Sequence, residues 1–119
     1  MNYSELVVWQ KAMDLVTEIY KISSTFPSEE RFGLSSQVRR AAVSVPSNIA
    51  EGHGRKATGA YLNHISIAYG SLMELETQIQ IALRLDFINT ENTSSLLDKT
   101  SKIGKMLNGL KKSLAAQKE

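Results

Sequence analysis

Apolar residues return every three or four positions in four separate stretches of this chain, with no sustained alternation anywhere. That spacing marks one face of a helix, whereas a half-buried strand needs a period of two. The first stretch carries Val8, Ala12, Leu15, Ile19, Ile22 and Phe26, with a second stripe of Trp9, Met13, Val16 and Tyr20 one position over. The second carries Leu34, Val38, Ala41, Val45 and Ile49, and the third Tyr61, Ile65, Ala68, Leu72, Leu75, Ile79 and Ala82. The fourth carries Leu96, Thr100, Ile103, Leu107, Leu110 and Leu114. Helices are therefore predicted near 4–26, 34–53, 58–86 and 91–115. Short links favour antiparallel neighbours, so the predicted fold is all-α: an up-down-up-down antiparallel four-helix bundle forming one domain over 1–119.

The expected helix ends follow from local chemistry. Ser4, Thr58 and Thr90 are placed to act as N-caps, with Glu5 and Glu91 in first turns where the helix dipole favours a carboxylate. Pro27 closes the first helix, because the residue before a proline resists helical geometry. Gly52 or Gly54 suits the left-handed end of the second. That helix also holds an interior proline, Pro46, which removes the bond to the Ala42 carbonyl and predicts a bend. The alternative is a helix that stops near Ser44 and restarts at Pro46. The small residues Ala41 and Ala42 allow close approach of a neighbouring backbone.

Composition narrows the function classes. A chain of 119 residues with 42% hydrophobic and 22% charged residues fits a folded globular domain. No cysteine is present, which excludes disulfides and thiolate metal sites. The start, MNYSELVVWQ, lacks a basic region followed by a long apolar run, and no apolar run approaches the ~20 residues that cross a bilayer. A cytoplasmic location without membrane contact is expected. The two histidines, His53 and His64, form no Glu-x-x-His pair, and there is no glycine-rich phosphate loop. No metal, cofactor, small-molecule substrate or enzymatic activity is expected.

Net charge is only +2, but it is unevenly spread: −3 over 1–30, +4 over 31–60, −2 over 61–90 and +3 over 91–119. Candidates for phosphate contact are Arg39, Arg40, Arg55 and Lys56 around the second helix, and Lys102, Lys105, Lys111 and Lys112 on the fourth. For Arg40, pairing with Glu51, Glu74 or Glu76 is the stronger expectation, and for the lysines a solvated helix face. No aromatic residues are interleaved with these clusters for stacking bases, so base specificity is not expected. Asn48 and Glu51 lie three apart and are expected to join a structural hydrogen-bond network. The stripe Trp9, Met13, Val16 and Tyr20 reads either as core or as an oligomer contact, since tryptophan and tyrosine are enriched at interfaces.

The segment QVRRAAVSVPSNIAEG (37–52), followed by AYGSLMELETQ (68–78), resembles the bacterial four-helix-bundle proteins encoded within intervening sequences of 23S ribosomal RNA genes. LVVWQKAMDL (6–15) and FPSEERFGL (26–34) are similar too. The structural motif is the run holding Ser44, Pro46, Asn48, Glu51 and Gly52. The resemblance implies a ring-like homopentamer and kinship with the accessory protein of diversity-generating retroelements, a basic bundle that works with a reverse transcriptase and nucleic acid. It implies no settled activity. The family often has a basic residue where this chain has Tyr69. Two functions are therefore expected to compete: an oligomeric scaffold that binds RNA or other nucleic acid, and a protein-interaction module with no nucleic-acid role.

Overall fold

The computed structural model describes residues 1–118. Its helices are α1 (Val7–Ser23), α2 (Leu34–His53), α3 (Thr58–Arg84) and α4 (Thr90–Lys118), with single 3₁₀ turns at Tyr3–Glu5 and Ser28–Glu30. No strand occurs among the described residues. The bundle measures 48 × 23 × 20 Å. Sequential helices pack side by side and α1 returns to α4, while the backbones of the diagonal pairs α1/α3 and α2/α4 stay farther apart. This is the up-down-up-down arrangement. α2 and α3 share the most extensive seam, and α1 and α4 the thinnest. Leu15, Ile19, Ile49, Ile65, Leu72, Leu75, Ile103 and Leu107 are wholly buried along the axis.

Helix ends depart from expectation where hydroxyl residues had two possible uses. Asn2, not Ser4, caps the N-terminal turn, accepting the Ser4 N–H at 3.0 Å. α1 starts later, after Leu6, without a side-chain cap. It also stops earlier. The hydroxyls of Ser23, Ser24 and Thr25 donate to the carbonyls of Tyr20, Lys21 and Ile22 at 3.3, 2.6 and 2.7 Å. These bonds occupy carbonyls of the final turn before Pro27 is reached. Thr58 is the first residue of α3 and not its cap, and Asn89 caps α4 in place of Thr90, accepting the Asn92 N–H at 2.7 Å.

α2 spans the expected residues and runs without interruption through Pro46, so the restart near Ser44 does not occur. At its start the Glu30 carboxylate accepts the Leu34 N–H at 3.0 Å. At its end Gly54 is right-handed, with φ −78°, and no described glycine has positive φ. The left-handed helix end belongs instead to Asp86, with φ 61°, after α3. There the N–H groups of Asp86 and Phe87 donate to the carbonyls of Leu83 and Ala82 at 3.0 and 2.9 Å, the paired bonds of a Schellman end. The Phe87 ring then meets Phe26, 5.6 Å away, closing that end of the bundle.

Candidate functional site

Ser44, Asn48 and Gly52 succeed one another every fourth residue and so share the α2 face that meets α3. Gly52 is required by proximity: a Cβ there would stand 2.8 Å from the His64 Cβ and 2.9 Å from the Tyr61 ring. Burial raises the Tyr61 phenol above its ordinary pKa. Higher on the same seam, the Ser44 and Ser71 hydroxyls lie 2.7 Å apart. The Asn48 amide donates to the Ser44 carbonyl and hydroxyl at 2.9 and 3.1 Å, and its oxygen faces His64 Nδ1 at 3.0 Å. Glu51 is exposed, with its carboxylate 3.8 Å from the same nitrogen. Ser44 and Asn48 are thus hydrogen-bonded across the seam to Ser71 and His64, whereas Glu51 stays outside hydrogen-bond range. His64 and Ser71, the α3 half of these bonds, were invisible to sequence spacing because they sit on another helix.

The aromatic stripe of α1 is divided between two surfaces. Trp9, Met13 and Val16 line an open groove of about 310 Å³ with Tyr3, and with Val43, Pro46, Ser47 and Ala50 of α2. Met13 and Tyr3 are exposed, and the Tyr3 and Trp9 rings meet edge to face with centroids 5.3 Å apart. Tyr20 lies outside this groove. Its ring carries the Arg39 guanidinium at 4.8 Å, and both belong to a second concavity of about 490 Å³.

The basic candidates have different fates. Arg39 ties α2 to the end of α1, its Nε donating to the Ser23 hydroxyl at 2.8 Å. Arg40 is exposed, and the expected pairing with Glu51, Glu74 or Glu76 is absent among the described residues. Lys102 pairs with Asp98 at 3.0 Å, and Lys111 stands 5.8 Å over the Tyr69 ring. Lys105 and Lys112, seven apart, share an exposed stripe of α4, and Arg55 and Lys56 are exposed in the α2–α3 link. Because α2 and α4 run in the same direction, that link and the last turns of α4 lie at one end of the bundle. Arg39 and Arg40 lie toward the other.

Between α1 and α4 runs an open groove of about 530 Å³, lined by Lys11, Asp14, Thr17, Glu18, Asp98, Lys99, Lys102, Ile103 and Met106. The Lys99 ammonium bridges it by pairing with Glu18. No cluster of side chains able to hold a metal ion occurs among the described residues. No described helix is long and apolar enough to cross a membrane.

Fold and motif together define a small helical bundle whose second and third helices are fastened by short polar side chains. The chain belongs to the 23S rRNA-intervening sequence protein family, whose sequence pattern matches residues 4–109. Its fold is similar to the crystal structure of a protein of unknown function from the S23 ribosomal protein family of Bacteroides thetaiotaomicron. That likeness has a TM-score of 0.81 at 25% identity and covers 89% of this chain and 99% of the other. No curated protein matches the chain.

Proposed function

We propose that this protein is a non-enzymatic, self-associating scaffold of the cytoplasm that binds RNA or DNA through its basic surface. The observation that carries the reading is the contrast between two exposed surfaces. One is the apolar groove around Trp9, Met13 and Val16, which leaves large hydrophobic side chains in water. The other carries cations that no described carboxylate neutralises, among them Arg55 and Lys56 at one end and Lys105 and Lys112 on α4. Tryptophan, tyrosine and methionine are the residues enriched where protein surfaces meet. Association through the groove would repeat the basic surface by symmetry and multiply a modest subunit charge. The number five for the assembly comes from the family resemblance.

Light scattering at micromolar concentration tests the first half. An oligomer is expected, and Trp9→Glu with Met13→Glu is expected to reduce it to monomer; a monomeric wild type overturns it. Retention of RNA or DNA at low salt tests the second. Log affinity is expected to fall linearly with log salt as counterions are released. Arg55→Glu, Lys56→Glu and Lys112→Glu together are expected to weaken binding and flatten its salt dependence while the helical circular dichroism spectrum is kept. A wild type that retains neither nucleic acid at low salt would leave proteins as the partners of the scaffold.

A further inference from the structure

The second concavity does what the linear sequence did not suggest: it brings aromatic rings among arginines. Phe32, in the turn before α2, is 88% exposed, an extreme value for a phenylalanine. Arg31 stands over its ring at 5.3 Å. Tyr20 arrives from α1, bearing Arg39 on its face, and Arg40 and Val43 complete the wall from α2. The concavity of about 490 Å³ has no acidic residue in its lining.

We propose that this concavity, with Phe32 as its platform, binds unpaired bases of single-stranded nucleic acid. The inference rests on the nucleic-acid reading above and adds to it a location and a strand preference. The exposure of Phe32 leaves ring surface open to a base, and base stacking tolerates any sequence. Arg31 and Arg40 supply guanidiniums for the adjoining phosphates, which planar forks engage in bidentate fashion. Arg39 is already held by Ser23 and Tyr20, so it shapes the wall and adds charge. A duplex keeps its base faces stacked inside, so only loops, ends and single strands present what Phe32 can take.

The test is fluorescence anisotropy with the full chain, a labelled oligouridylate and an RNA duplex of the same length. The single strand is expected to bind more tightly than the duplex. Phe32→Ala is expected to weaken single-strand binding by roughly fivefold or more and leave duplex binding unchanged, while Phe32→Trp restores it. Arg31→Gln and Arg40→Gln should each reduce the salt slope on the single strand by about 0.7. If the wild type binds no nucleic acid, the nucleic-acid reading itself falls and this inference with it. If binding is weakened in Arg55→Glu/Lys56→Glu/Lys112→Glu but is untouched by Phe32→Ala and the two arginine variants, the nucleic-acid reading stands and this site is wrong. Light scattering on Phe32→Ala closes the remaining route: a change in assembly mass without a change in strand preference would make Phe32 a contact between copies of this chain and overturn the proposal.

Discussion

The α2–α3 and α1–α4 seams join neighbouring helices of one bundle by opposite means. Between α2 and α3 the backbones come close enough that Gly52 has no room for a methyl group, and hydroxyl and amide groups pair across the gap. Between α1 and α4 the helices stand apart, a groove of about 530 Å³ opens, and a Lys99–Glu18 ion pair spans it. Short polar side chains fix a distance, because their bonds form at one separation only. Long charged side chains accommodate a range of distances and contribute little in water. The first seam therefore sets the geometry of the bundle, and the second is its yielding side.

The sharpest way to break this contrast is to widen the tight seam. Gly52→Ala drives a Cβ to within 2.8 Å of the His64 side-chain root, and is expected to destabilise by about 1–3 kcal/mol in chemical denaturation. A neutral result would mean that the two helices are free to separate. Asn48→Ala removes the Nδ1 partner of His64 and one of the partners of Ser44, with an expected loss of about 1–2 kcal/mol for half-buried polar groups. Gly70→Ala, on α3, is the opposing control. The added methyl meets nothing within 4 Å, so helix propensity alone predicts a gain of roughly 0.5–1 kcal/mol. The smallest effect belongs to the loose seam: Lys99→Met should cost at most about 1 kcal/mol, and less still in high salt. A loss from Lys99→Met larger than that from Asn48→Ala would invert the assignment of the two seams.

Much of the framework was readable from periodicity. The bounds of α2 follow from its apolar stripe and the glycines at its end. Its caps and those of its neighbours were less legible. A serine or threonine near a helix end can cap the next helix or bond back to the last one, and at Ser23, Ser24 and Thr25 the second use prevails. Gly52 and Gly54 looked like left-handed helix ends, whereas Gly52 serves close packing and an aspartate takes the left-handed position elsewhere. The surface sites were legible only by residue type. Spacing along one helix shows that Trp9 and Tyr20 share a stripe. It does not show that α2 and the turn before it divide them, one into an apolar groove and the other beside Arg31 and Phe32. Arg39 illustrates the same limit, since its partners lie sixteen and nineteen residues away.

The hydrogen bond between Asn48 and His64 also decides which imidazole tautomer the tight seam holds. The Asn48 nitrogen is committed to Ser44, so its oxygen is the acceptor and the imidazole must carry its proton on Nδ1. The tight seam thus selects the position of one proton as well as the separation of two helices.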